Sequence, residues 1–152
     1  MNKKIMVAII LTLVSGCVNQ RISTGDPKQR IVDYINKSFA IKNISDRSQL
    51  ESFLTGEAQT RMKAWSEAQF YRAFIESKRE FGKLTFKETK EVNETEINVV
   101  YELSYVDQNR GHDAKVTQKK MATLVKKEGL WLIENVRNLK ETVEFRNELA
   151  LP

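Results

Sequence analysis

Phenol and carboxyl side chains are the groups in this sequence best suited to contact a small ligand. Tyr101 and Tyr105 lie in an alternating apolar segment and therefore share one face of a strand. They either donate hydrogen bonds into a pocket or pack in the core with only their hydroxyl groups in contact with water. We favour the second interpretation. Asp33 and Tyr34 are adjacent on a helix, roughly 100° apart, so they form no dyad by themselves. The candidate pocket residues are Tyr34, Tyr101 and Tyr105, and no residue is assigned a catalytic role.

The contents of histidine and cysteine limit metal and redox chemistry. One His and one Cys exclude a disulfide framework and a zinc site built from several such residues. His112 lies between Gly111 and Asp113 in a polar segment, where a lone His is usually a turn residue. The sequence contains no Gly-rich phosphate loop, serine nucleophile elbow or paired-cysteine motif. We therefore predict that the protein has no metal or cofactor and is not an enzyme.

A cluster of lysines marks one segment in the second half of the chain. Its members are Lys115, Lys119, Lys120, Lys126 and Lys127. These residues form either a basic face for an acidic polymer, lipid head groups or an acidic protein, or a solvated strand whose lysines oppose edge-to-edge pairing. We favour the solvated strand.

The amino-terminal segment differs in composition from the rest. Two lysines precede an apolar run over residues 5–14, which is too short to span a hydrocarbon layer of ~30 Å as a helix. This pattern is typical of a secretory signal peptide. Residues 14–17 (VSGC) resemble the bacterial lipobox, which implies cleavage between Gly16 and Cys17 and lipidation of Cys17. An ordinary signal peptide with a chance cysteine and an uncleaved anchor helix are the alternatives.

The resemblance to a lipoprotein predicts a location in the bacterial cell envelope. Val18, and not Asp, follows Cys17, which implies the outer membrane, facing the periplasm, in a Gram-negative host. The lipidated Cys17 begins a segment over residues 17–25, in which residues 18–25 form a polar tether that extends ~27 Å at most. Removal of residues 1–16 takes away two lysines and no acid, and so lowers the formal net charge of +5 by two. This mild charge does not indicate a nucleic-acid partner.

Three helical segments are predicted in the first half of the chain. The first begins after Asp26, a capping residue followed by proline at the first helical position. A second includes residues 50–54. The third covers about residues 57–78 and restarts at Ser66, which forms a capping pair with Gln69. Apolar residues recur at helical spacing in the first and third segments.

After Gly82 the apolar period changes from about 3.6 to 2. The pattern predicts a strand around residues 84–86 and further strands over residues 97–105, 116–126 and 130–139. Helices followed by antiparallel strands predict an α+β domain with the helices on one face of the sheet. This domain covers residues 26–140, and residues 141–152 are an extension that forms a short helix or a tail.

Three helices and a four-stranded meander ending in residues 129–136 (GLWLIENV) resemble the nuclear-transport-factor-2-like superfamily. Residues 53–58 (FLTGEA) are similar to its small bacterial lipoprotein members. The resemblance covers about residues 27–140 and implies a cone, in which a curved four-stranded antiparallel sheet wraps a long helix. It also implies that the sheet can mediate dimerisation. The family includes isomerases, dehydratases and hydrolases with a carboxylate or His base inside the cone, a role for which Asp33 is a weak candidate.

Large apolar residues occupy both faces of the predicted sheet. Val100 opposes the main apolar face of its strand, and Trp131 and Ile133 alternate with other large apolar groups. A sheet that is apolar on both faces needs cover on both, so these three residues are the candidate interface. The leading hypothesis is a non-enzymatic, membrane-anchored binding or assembly module with an envelope protein partner or a second copy of itself. The alternative is a small-molecule-binding or enzymatic domain that uses the cone pocket.

Overall fold

The computed structural model describes residues 25–111 and 114–145. The predicted signal peptide, the lipidation position Cys17 and the loop residue His112 lie outside these ranges. In the described part of the chain, no helix combines the length and apolar character needed to cross a membrane.

The first helix, α1, spans Pro27–Phe39 and begins where the sequence predicts. The Asp26 carboxylate accepts a hydrogen bond from the backbone N–H of Lys28 at 2.8 Å. Such a bond satisfies one of the free N–H groups at a helix start. Ile31 and Ile35 lie one turn apart and are buried against the sheet.

The described residues contain four α-helices where three were predicted. They are α1, α2 (Arg47–Glu51), α3 (Gly56–Ala64) and α4 (Glu67–Phe70), with a 3-10 turn at Ile44–Asp46 and a π-helical segment at Tyr71–Glu76. The predicted third helix is divided because Trp65 adopts an extended backbone. Ser66 then begins α4 through the predicted reciprocal hydrogen bonds with Gln69.

Four antiparallel strands follow in the order β1-β2-β3-β4. They are β1 (Arg79–Asn93), β2 (Glu96–Asp107), β3 (Ala114–Lys127) and β4 (Leu130–Glu144). β1 begins before Gly82, and β4 continues past the predicted end at Leu139, so the predicted extension starts inside this strand. Register shifts in the β1–β2 and β3–β4 pairs accompany the curvature of the sheet. The architecture is therefore α+β, with a curved four-stranded antiparallel sheet.

The inner face of the sheet, defined as the face towards the helices, carries the core. In β2 the buried residues alternate strictly with half-buried ones. The most buried large side chains of the domain come from helices and strands alike: Phe70, Ile31, Leu50, Leu124, Ile133, Val99 and Val116. The segment between α2 and α3 also joins β4, since the N–H of Thr55 donates to the carbonyl of Ile133 at 2.9 Å. This bridge fixes α3 against the sheet.

Candidate functional site

The three candidate pocket tyrosines lie on the inner side of the domain. Tyr101 and Tyr105 are buried on the inner face, and Tyr34 reaches the same interior from α1. Burial raises the pKa of all three phenols, an effect that nearby arginines partly oppose at Tyr34 and Tyr105. A raised phenol pKa keeps each hydroxyl protonated at neutral pH, so each remains a hydrogen-bond donor.

Tyr34 lines a cavity of about 170 Å³ between α1, α3, the π-helical segment and β4. Arg61 is the other polar side chain that lines this cavity, besides Tyr34. The apolar wall consists of Leu54, Ala58, Met62, Trp65, Phe74 and Val136. A cavity of ~150 Å³ can hold a benzene-sized molecule, so this one has room for a single ring or a short chain.

Contacts to β4 hold the guanidinium of Arg61 at this cavity. It donates to Asn135 Oδ1 at 2.8 Å and lies 3.6 Å from the carboxylate of Glu57. Asn135 in turn donates to Glu57 at 2.6 Å. The network leaves Arg61 half exposed, with a permanent charge and further N–H donors. Arg61 and Tyr34 are therefore both donors, which suits a ligand with acceptor oxygens.

The π-helical segment supplies one wall of the cavity through Phe74. The ring of Phe74 lies 4.9 Å from that of Phe70 and 5.9 Å from that of Trp65. Arg79 holds the end of this segment, because its guanidinium donates to the carbonyl of Ala73 at 2.6 Å and to Ser77 Oγ at 3.0 Å. Short π-helical turns are often found at functional sites.

Lys120, which was predicted to lie on a solvated strand, is an inner-face residue. In the strand register it lies opposite Tyr101 on β2 and Asn138 on β4. Burial lowers the pKa of its ammonium, Arg79 lowers it further, and Glu141 opposes both effects. Strand parity could have found this residue, since it shares a face with the buried Leu124.

The remaining lysines of the predicted cluster divide between the two faces. Lys115 and Lys119 pair in register with Val106 and Glu102, whose side chains lie on the outer face. Lys126 lies 5.9 Å from the ring of Trp131. Lys127 donates to the hydroxyl of Thr55 at 2.8 Å. These residues therefore do not form a single basic face.

The carboxyl groups of Asp33 and Asp107 are each held by neighbouring polar groups. Asp33 accepts a hydrogen bond from Gln29 at 2.8 Å on α1 and does not line the cavity. Asp107 is buried, but its carboxylate caps the turn after β2 and lies 3.5 Å from Arg110. Residues 25–111 and 114–145 contain no cluster of three potential metal ligands of the His, Cys, Asp or Glu type.

The three candidate interface residues do not share a face. Val100 lies on the outer face, opposite Met121. Ile133 is 1% exposed and belongs to the core, and Trp131 packs against the core from the same side. Ile133 and Trp131 therefore lie on the inner face, whereas the β4 register places Leu132 on the outer face, opposite Val125.

No protein-family model matches this chain, and no curated protein matches it either.

Proposed function

We propose that this protein is a lipid-anchored bacterial envelope lipoprotein whose domain is a non-enzymatic binding module of the nuclear-transport-factor-2-like type. The lipobox-like residues 14–17 support the anchor. The curved antiparallel sheet with helices on its inner face supports the family. Tyr34 supports binding rather than proton transfer, because burial raises the pKa of its phenol, and Arg61 adds further N–H donors.

The observation that carries the proposal is the apolar cavity of about 170 Å³ with these two donors at its surface. Apolar walls with a few placed polar groups are the usual composition of small-molecule sites. The ligand class that fits is a compact apolar molecule with an oxygen acceptor. Trp65 lies in the wall, so its fluorescence reports occupancy.

The test is titration of the full-length protein in detergent with 3-phenylpropan-1-ol, read by Trp65 fluorescence in a Trp131→Phe background. We expect saturable quenching that is lost in Ala58→Leu, which fills the cavity. Ala64→Leu, at an exposed position of the same helix, is the matched control and should bind normally. Quenching that persists in a folded Ala58→Leu variant, or is absent from the wild type, would contradict binding in this cavity.

The anchor is tested separately by metabolic labelling with palmitate. Wild-type protein should incorporate the label and Cys17→Ser should not. Equal labelling of both would refute lipidation at this residue.

Assembly with an envelope protein or a second copy is the other candidate function. The observation that favours it is the pairing of half-buried apolar residues on the outer face, Val100 with Met121 and Val125 with Leu132. In-cell crosslinking with mass spectrometry should then recover one stoichiometric partner, and Val100→Lys should abolish the crosslink. Recovery of no partner would favour the cavity alone.

A further inference from the structure

The surroundings of the cavity carry more positive than negative charge. Arg61 lines the cavity, and the charge of Arg79 acts on both Tyr34 and Lys120. Glu141 is the carboxylate that acts on Lys120, but its oxygens already accept hydrogen bonds from Gln118 and Arg110. Positive charge inside a folded domain is costly without a counter-charge.

Lys120 has no ion-pair partner among the described residues, although the charge of Glu141 acts on it. The ion pairs of residues 25–111 and 114–145 do not include it. The groups around it come from four elements: Tyr101 on β2, Arg79 on β1, and Asn138 and Glu141 on β4, with Tyr34 of α1 next to Tyr101.

The strand register places Lys120 beside the cavity wall. The cavity residue Val136 pairs with Ala122, and the next inner-face pair along the two strands is Lys120 with Asn138. One such step is roughly 7 Å along a strand. Lys120 and its partner Tyr101 on β2 do not line the cavity itself, but lie one register step beyond its wall residue Val136.

We propose that the cavity binds a small aromatic or aliphatic carboxylate, with its apolar part against Trp65 and Phe74 and its anionic head at Lys120. The inference rests on the proposed cavity function and names its ligand class. Charge-assisted hydrogen bonds from Lys120 and a neutral one from a phenol orient the head. Arg61 and Arg79 add longer-range attraction for an anion.

The test compares 3-phenylpropionate with 3-phenylpropan-1-ol, which differ only in the head group. Both are titrated into the full-length protein at pH 7, with Trp65 fluorescence as the signal. We expect the acid to bind at least tenfold more tightly than the alcohol to the wild type. In Lys120→Met the acid should bind no more tightly than the alcohol.

Lys119→Met is the matched control, because it removes a neighbouring ammonium from the outer face. It should keep the preference for the acid. If Lys120→Met does not fold, two other measurements test the proposal. Lys120→Arg should keep the preference for the acid. In isotopically labelled wild type, the acid should raise the pKa of the Lys120 ammonium, whereas the alcohol should not.

Two results overturn the proposal and leave the cavity function intact: equal binding of acid and alcohol to the wild type, or a preference for the acid that persists in Lys120→Met. Binding of neither compound would reject the cavity function and this inference together.

Discussion

Replacement of Arg79 by lysine tests whether a guanidinium holds the cavity wall in place. Arg79 bonds both the carbonyl of Ala73 and Ser77 Oγ. Its guanidinium carbon also lies 5.5 Å from the ring of Phe39 and 5.7 Å from the rings of Phe74 and Tyr105. Lysine keeps the charge but cannot reach both acceptors from one planar fork.

The expected cost follows from the interactions that lysine cannot make. A hydrogen bond to a charged group contributes ~1.5–3 kcal/mol, and lysine retains one of the two. Loss of stacking on the aromatic rings adds ~0.5 kcal/mol. We therefore expect Arg79→Lys to lower the free energy of unfolding by about 2–3.5 kcal/mol and to loosen Phe74, which weakens binding of 3-phenylpropan-1-ol.

The assay is urea unfolding at pH 7, with Arg72→Lys as the control. Arg72 is exposed on the same π-helical segment and makes one long contact, from its Nε to the carbonyl of Ala68 at 3.4 Å. Its substitution should change stability by less than ~0.5 kcal/mol. Equal stability of the two variants would refute the reasoning, since it would mean that the fork geometry of Arg79 contributes nothing.

Two further predictions concern the sheet. In Gly82→Ala the new Cβ would lie 2.9 Å from the carbonyl oxygen of Ser104, so we expect a loss of ~1–3 kcal/mol in urea unfolding, and wild-type stability would contradict this contact. Hydrogen bonds from Gln118 and Arg110 lower the pKa of Glu141. That stabilisation is present above the ordinary carboxyl pKa of ~4.3 and is lost as pH falls through the lower folded value. Between pH 6 and pH 3, Glu141→Gln should therefore lose less stability than the wild type, and parallel losses would exclude this linkage.

Local signals predicted where most elements begin, but tertiary contacts moved the start of the sheet. Asp26 and Ser66 cap their helices as expected, since capping depends on residues within one turn. The apolar period changes after Gly82, so this residue is expected to precede the sheet. Instead it lies inside β1, which begins at Arg79, at a register shift where β2 comes too close for a side chain. The need for a residue without a side chain at position 82 arises from the pairing with β2, so it cannot be predicted from the neighbouring sequence.

The end of β4 was unpredictable for a similar reason. Residues 141–144 show no apolar alternation, because Glu141 takes an inner-face position near the rim of the sheet. The segment remains a strand because it pairs with Gln118 to Lys115 of β3. Backbone hydrogen bonds to β3 and the ion pair of Arg110 with Glu141 stabilise this end of β4. They do so in place of the buried apolar side chains that an alternating sequence pattern would indicate.

The candidate site was predictable in its phenols and not in its cations. Alternation placed Tyr101 and Tyr105 on the inner face, where the structure has them. Lys120 was predicted to belong to a solvated strand and Arg79 was not singled out, since charged side chains are seldom buried without partners. Lys120 is four residues from the buried Leu124 on the same strand, so the alternation of side chains identifies its face. The position of Arg79, in contrast, depends on how the helices pack on the sheet.

The ammonium of Lys120 on the inner face has opposite effects on the stability of the ligand-free domain and on the binding of an anion. Because burial lowers the pKa of Lys120, its ammonium reduces the stability of the folded domain at neutral pH. A carboxylate bound beside it reverses this effect and adds stabilisation that grows with ligand concentration, by ~2.7 kcal/mol at one hundred times the Kd. Substitution of Lys120 by methionine should therefore give a domain that is at least as stable without ligand and gains less from the acid. A residue that lowers the stability of the ligand-free domain, and raises it when an anion is bound, behaves as part of a binding site rather than as part of the core.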